Sequence, residues 1–339
     1  MNAMQTGVTA VRAGRRLLTA ALLGTVAWAP FSDPAMAQGS YPDRPIRLIV
    51  PFVPGGITDA TARIVAEQMS NRLGQPVVVD NRAGASGNIG TKLVASADPD
   101  GYTLVLVPDS NMVISPLVYK DLGYDPLKDF AAVGKVGDST LALVSAENSK
   151  LRTLDDVIAA AKRSDGGLFY ATSGVGSNSQ IAAELLKDHA KVNLVHVPYN
   201  KGAGPALADL MGGQIPLVVT AVTGAIPLIK GGKVHPIVVF TSARSSSLPD
   251  VPTASEAGWP AVYNSWIGIF APARTPKPVL AKLSSVLQSV ITSPATNARL
   301  VELGVVPVPS STPESFMQDV KADLERYAPI VKKANVAVD

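Results

Sequence analysis

Gly, Ser, Thr and Asn crowd a few short segments of this chain, and those segments are where chemistry can occur. The first is Pro54-Gly55-Gly56-Ile57-Thr58-Asp59. Two glycines let a backbone approach a ligand closely, and the residues after them open a helix. A helix N-terminus offers free N–H groups and about half a positive charge, which suits a carboxylate or a phosphate. Thr58 or Asp59 is placed to cap that helix. The second segment is Thr172-Ser173-Gly174-Val175-Gly176-Ser177, again between a strand and a helix. It does not complete a dinucleotide loop, because Ser179 holds the third glycine position and the following strand ends without an acidic residue. It also lacks the Gly-Lys-Ser/Thr ending of a nucleoside-triphosphate loop, so a small-anion site fits it better. Asp109-Ser110-Asn111 and Pro198-Tyr199 end two further strands, and Tyr199 offers a hydroxyl donor on an apolar ring.

Catalytic and metal-binding patterns are poor by comparison. The three histidines, His189, His196 and His235, show no metal-ligand spacing. Ser86, in Gly84-Ala85-Ser86-Gly87-Asn88, lacks the last glycine of a nucleophile elbow. Ser177 with His196 is the one faint nucleophile–base pair. The absence of cysteine removes thiol nucleophiles, thiolate metal sites and disulfides. No cluster of Lys and Arg with interleaved aromatics is present, which argues against nucleic acid. No metal, cofactor or catalytic residue is expected.

The elements that must position these loops follow from the hydrophobic pattern. Hydrophobic residues make up 47% of 339 positions, enough for two ordinary domains with their own cores. Arg12, Arg15 and Arg16 precede a short apolar run over residues 17–28, and Ala35-Met36-Ala37 has small residues where a signal peptidase cuts. About a dozen apolar residues are too few to span a membrane as a helix. Residues 1–37 therefore read as an export signal cleaved after Ala37, leaving a mature charge of about +1. Residues 46–52 (IRLIVPF) form a continuous apolar run of the doubly covered strand type, and a helix is expected over 58–73. Strands at 77–80, 102–107, 168–171, 193–197, 217–222 and 236–240 alternate with helices, which predicts parallel sheets. Thr153 to Asp156 resembles a capping box, and helices are expected over 278–291, 295–303 and 313–333.

Two long apolar stretches, 131–144 and 265–271, are placed to carry the chain between two domains. Residues 44–140 with 268–339 then form domain 1 and residues 141–267 form domain 2, a hinged clamshell. In open parallel sheets the ligand sits beyond the carboxyl ends of the strands, where the polar loops lie.

Several of these segments resemble one family, the substrate-binding proteins of tripartite tricarboxylate transporters, called TctC or Bug-like. The motifs are residues 51–63 (PFVPGGITDATAR), 79–88 (VDNRAGASGN), 95–102 (ASADPDGY), 170–185 (YATSGVGSNSQIAAEL), 196–213 (HVPYNKGAGPALADLMGG), 248–258 (LPDVPTASEAG) and 271–278 (APARTPKP), in the family's order. The resemblance covers nearly all of residues 41–335. It implies an α/β, two-domain periplasmic-binding-protein fold of the type II-like Venus flytrap kind, with two interdomain crossovers and a deep cleft. It also implies delivery of a di- or tricarboxylate, acidic amino acid or aromatic acid to a large-and-small pair of membrane subunits.

In the family the ligand carboxylate is cradled largely by backbone amides and ordered water. By motif position that places Val53, Gly55, Gly56 and Asp59 on one lobe, and Ser173, Gly174, Ser177 and Tyr199 on the other. Ser110 and Thr220 complete the candidate set. Gln180 stands where the family often has His, and Thr220 where an acidic or amide residue is common. The expected molecule is a periplasmic, monomeric receptor without enzymatic activity. Its rivals are a ligand sensor for a signalling kinase and a periplasmic hydrolase.

Overall fold

The computed structural model describes residues 41–199 and 202–336; the export signal and cleavage site expected over residues 1–37 lie outside the described residues. In chain order the first half contains β1 (Ile46–Val50), α1 (Ile57–Leu73), β2 (Val77–Asn81), α2 (Asn88–Ala95), β3 (Thr103–Pro108), α3 (Ser115–Val118) and β4 (Phe130–Ser139). Next come β5 (Leu141–Ala146), α4 (Leu154–Arg163), β6 (Leu168–Thr172), α5 (Asn178–Ala190), β7 (Leu194–Pro198), α6 (Ala203–Met211), β8 (Leu217–Ala221), α7 (Val222–Lys230) and β9 (Val234–Val239). The chain closes with β10 (Ser265–Pro272), α8 (Lys277–Ile291), α9 (Pro294–Glu302), β11 (Val305–Pro307) and α10 (Pro313–Lys333).

The strands form two sheets, ordered β11-β4-β10-β3-β1-β2 and β7-β6-β8-β5-β9. Their βαβ portions are parallel, as the alternation predicts: β1 with β2 and β3, and β6 with β7 and β8. The sheets as wholes are mixed, which corrects the parallel expectation. β10 runs antiparallel to β3 and β4, and β5 antiparallel to β8 and β9. The reason is the route of the chain. β4 and β5 are separated by Thr140 alone, so the chain leaves one sheet and enters the other without a crossover helix to reverse it. β10 returns beside this passage, with Ser265 paired to Ser139.

Side-chain alternation gives each sheet two covered faces. On β1, Ile46, Leu48 and Val50 pack with α1 and α8 in one cluster, whereas Ile49 joins another. On β5, Leu141 and Leu143 face that second cluster, and Ala142 and Val144 face a third under α6. The second cluster is shared between the sheets: it joins Val105, Trp266, Phe270 and Phe316 to Tyr170, Ile181 and Val219. Ala62, Val65, Met69 and Leu73 of α1 are buried, as their helical spacing requires.

The capping box of α4 is present, with Thr153 Oγ1 accepting from Asp156 N–H and Asp156 accepting from Thr153 N–H. Thr312 caps α10 in the same way with Ser315, and Pro313 occupies its first turn. Two sequence expectations fail locally. α1 is capped by Gly56, with no side-chain cap from Thr58 or Asp59. The strand expected over 217–222 stops at Ala221, and α7 begins at once.

Candidate ligand-binding site

The loop after β1 turns on Gly55, whose φ of +94° only glycine adopts freely. Gly56 has ordinary extended angles, and a Cβ built on either glycine meets nothing within 4 Å. Neither internal packing nor φ therefore requires glycine at 56. What its lack of a side chain provides is clear space over the first turn of a 17-residue helix. Val53 is 65% exposed on the same loop, unusual for a branched apolar side chain.

Asp59 is placed behind this loop rather than on its open face. It is buried, and Oδ2 accepts from Gly55 N–H at 3.0 Å and from Arg63 Nε at 2.9 Å. Its Oδ1 accepts from Asn81 Nδ2 at 2.9 Å, and Asn81 also donates to Phe52 C=O at 3.0 Å. Burial alone pushes the Asp59 carboxyl up, but the Arg63, Gly55 and Asn81 donors outweigh it and hold the group below the usual carboxylate range. Asp59 is thus an anionic brace for the Gly55 peptide. Arg63 and Asn81 lie inside the quoted motifs but went unassigned; the i, i+4 acid–base spacing of Asp59 and Arg63 was the available signal.

The two neighbouring loops are tied to each other. Asn111 Nδ2 donates to Ser86 C=O and to Asn88 Oδ1, both at 3.2 Å. Ser110, half-buried, opens the helical turn after Asp109.

The loop after β6 is held almost wholly by its own side chains. Ser177 caps α5 by accepting from Gln180 N–H and donates to Gly174 C=O at 2.8 Å. Gly174 has a φ of +132°, and its N–H donates to Thr172 Oγ1 at 3.3 Å. Ser173 Oγ lies 3.4 Å from Ser179 Oγ. Gln180, one of the family departures, does not reach outward with its carbonyl: Oε1 accepts from Gly176 N–H at 2.8 Å.

Tyr199 and Thr220 are placed differently from a simple ligand contact. The Tyr199 hydroxyl donates to Asp209 Oδ2 at 2.6 Å. Thr220 is 2% exposed, opposite Ala142 in the sheet. The pair with Ser177 and His196 as nucleophile and base is not formed, because His196 Nε2 lies 2.6 Å from Thr172 Oγ1 and Ser177 is turned to Gly174.

The two sets of loops meet at Asp109. This fully buried carboxyl accepts from Ser265 Oγ at 2.8 Å, from Asn178 Nδ2 at 3.3 Å and from the Tyr263 hydroxyl. It follows β3, its hydroxyl partners lie where the chain returns into β10, and Asn178 opens α5. Burial pushes the Asp109 carboxyl up to about 6 despite these donors. A Cβ on Gly176 would stand 3.4 Å from Val118, so the second loop also borders α3.

Neither ligand loop, 51–57 nor 172–178, carries Lys or Arg. What they offer an anion is backbone N–H groups and the N-termini of α1 and α5. Among the described residues no group of three or more His, Cys, Asp or Glu side chains is arranged to hold a metal.

The chain is similar to known proteins over most of its length. The family described as the tripartite tricarboxylate transporter family receptor matches residues 61–336. The UPF0065 protein of the TAR-I ttuE-ttuC' intergenic region of Agrobacterium vitis is 38% identical over 321 residues, covering 94% of this chain and 90% of its own. The periplasmic binding protein BugD is similar in structure, with a TM-score of 0.78 and 35% identity over 88% of this chain and 99% of BugD. An R. palustris protein with adipate has a TM-score of 0.81 and 34% identity over 88% of this chain and 99% of its own. MatC from Rhodopseudomonas palustris with bound malate has a TM-score of 0.77 and 32% identity over 86% of this chain and all of MatC. The chain belongs to the tripartite tricarboxylate transporter receptor family, whose members are periplasmic solute-binding proteins and not enzymes.

Proposed function

We propose that this chain is a receptor for a small dicarboxylate, which it delivers to the membrane subunits of a tripartite tricarboxylate transporter. One observation carries the reading. Two loops at the carboxyl ends of two sheets open into helix N-termini, offer no cationic side chain, and leave clear space over Gly55 and Gly56. Such a site neutralises an anion with backbone dipoles and keeps a fixed shape. Relatives of the same fold hold adipate and malate, which are dicarboxylates of small size.

In this proposal residues 1–37 direct export and are removed after Ala37, and the mature monomer works in the periplasm. Residues 44–140 with 268–339 form one domain and 141–267 the other. The ligand is held by Val53, Gly55, Gly56 and Ser110 on the first and by Ser173, Gly174 and Ser177 on the second, with Asp59 bracing the first loop. Tyr199 lines the second lobe by its ring. Thr220, buried in β8, lacks a carboxylate, which disfavours a ligand bearing a distal ammonium. Contacts made from both lobes at once favour the closed form.

The test is thermal unfolding of residues 38–339 with malate, adipate, tricarboxylates, acidic amino acids and aromatic acids at millimolar concentration. A ligand present at about a thousand times its Kd stabilises the native state by about 4 kcal/mol. A selective shift for one dicarboxylate, with the compound recovered unchanged, supports the proposal. A consumed compound, or a shift only with amino acids, overturns it.

A further inference from the structure

His196 sits on the edge strand β7, directly opposite Tyr170 of β6, and the two rings stack with centroids 5.2 Å apart. Its Nε2 is 2.6 Å from Thr172 Oγ1. Thr172 has one hydroxyl proton and two possible uses for it, His196 Nε2 or Gly174 C=O at 3.1 Å. The Gly174 carbonyl already receives the Ser177 hydroxyl at 2.8 Å. Sending the Thr172 proton to Gly174 would force Nε2 to donate into an oxygen that already accepts Gly174 N–H. Sending it to a bare Nε2 puts the proton on the shorter of its two contacts, 2.6 Å against 3.1 Å, and leaves Thr172 Oγ1 free to accept from Gly174 N–H with the Ser177 hydroxyl 3.4 Å away. The second arrangement requires a neutral imidazole protonated on Nδ1. Burial, with the Lys187 charge nearby, pushes the His196 pKa down to about 4, so the neutral form is the one present at ordinary pH.

We propose that His196 is a positioning residue for the ligand: its bare Nε2 accepts the Thr172 hydroxyl and thereby fixes the Gly174 peptide of the second ligand loop. This rests on residues 173–177 being a ligand loop. The loop needs such a tether because Gly174, at a φ of +132°, has no side chain to hold its peptide plane. The ring itself is anchored: Tyr170 stacks on it, and the Tyr170 hydroxyl donates to Glu184 Oε1 at 3.0 Å. The titratable groups around the ring are Tyr170 on β6, stacked on it, and Lys187 on α5, whose charge acts on it; Glu184 of α5 holds the Tyr170 hydroxyl and pairs with Lys187 at 3.4 Å. His235 is a built-in contrast, because its Nε2 lies 2.8 Å from the Arg152 carbonyl and must donate.

The experiment combines imidazole and amide NMR of residues 38–339 with malate and adipate titrations. Of three histidine rings, the one lost in His196→Gln should be the neutral Nδ1–H tautomer and should resist protonation until about pH 4. The Gly174 amide resonance should move with that protonation. His196→Gln, whose carbonyl can replace Nε2, should leave the Gly174 amide and ligand affinity within about twofold. His196→Phe keeps the stack but has no acceptor. It should shift the Gly174 amide and weaken the dicarboxylate about tenfold, about 1.4 kcal/mol, with little change in Tm. An Nε2–H tautomer, an ordinary His titration, or a Gly174 amide unmoved in His196→Phe would overturn the positioning role. If the parent binds neither acid, the dicarboxylate reading fails, while the tautomer and the Gly174 shift still decide the tether.

Discussion

Asp59 shows how one residue serves a ligand it does not face. An exposed carboxylate on this loop would repel an incoming carboxylate. Buried and saturated by Gly55, Arg63 and Asn81, it instead orients the Gly55 peptide. Asp59→Ala removes the brace, leaves the Gly55 N–H without its acceptor and leaves Asn81 with the Phe52 carbonyl alone. We expect it to weaken dicarboxylate binding at least tenfold by calorimetry. Arg63→Ala should cost less than threefold, because Arg63 is 55% exposed and water can replace it. Equal losses from the two substitutions would mean that the charge of the pair, and not the Gly55 contact, matters. Site residues were legible at this scale only as motif positions. The sequence places Tyr199 at a strand end, but its acceptor, Asp209, is ten residues on, inside α6, and no pattern links them. The Asp59 role was hidden for the same reason: its partner Asn81 comes from the end of another strand.

Elements were more legible than contacts, because periodicity is local and repeated. The helices expected over 58–73 and 313–333 appear as Ile57–Leu73 and Pro313–Lys333. α7 was missed because it follows β8 without a linker and carries Gly224 and Pro227, residues that read as breakers. β11 is three residues long, too short to show alternation. Caps can be tested directly. Thr153→Ala deletes the side-chain half of the reciprocal pair at α4, leaving the backbone N–H of that position on Asp156, and should cost about 1 kcal/mol in urea unfolding, with an unchanged slope. α1 offers the opposite experiment. Gly56→Ser supplies a side-chain cap where none exists, and nothing in the fold obstructs the new Cβ. Stability should hold or rise by a few tenths of a kcal/mol. Dicarboxylate affinity should fall at least tenfold, because the serine fills the space over the helix N-terminus and occupies its N–H groups. A variant that binds as tightly as the parent would place the ligand elsewhere.

At the scale of the molecule, the two sheets share a core cluster and are also joined by polar contacts. Lys333 of α10 pairs with Asp188 of α5, and Ser247 Oγ donates to the Val301 carbonyl at 3.2 Å. Asp109 is the most buried of these links, receiving donors from α5 and from the chain entering β10. The sequence places Asp109 at the end of a strand, where an acid read only as part of a polar loop. Its chemistry makes a pH prediction of definite sign. The folded carboxyl titrates near 6 and an unfolded one near 3.9. The native state therefore binds this proton more tightly. The stability it contributes is complete below about pH 3.9 and is lost as pH rises through about 6, on the order of 3 kcal/mol. Asp59, Asp80 and Asp188, whose carboxyls are held low, titrate with the opposite sign, so the parent's own profile mixes both effects. Asp109→Asn isolates the one group: it keeps an oxygen for Asn178 and Ser265 and has no proton to gain. Unfolding free energies of parent and variant, measured at pH 4.5 and 7, should differ more in the parent's favour at the lower pH. A difference that stays constant between those values would show that Asp109 titrates as an exposed acid does, and that the buried link between the sheets is held by something other than this carboxyl.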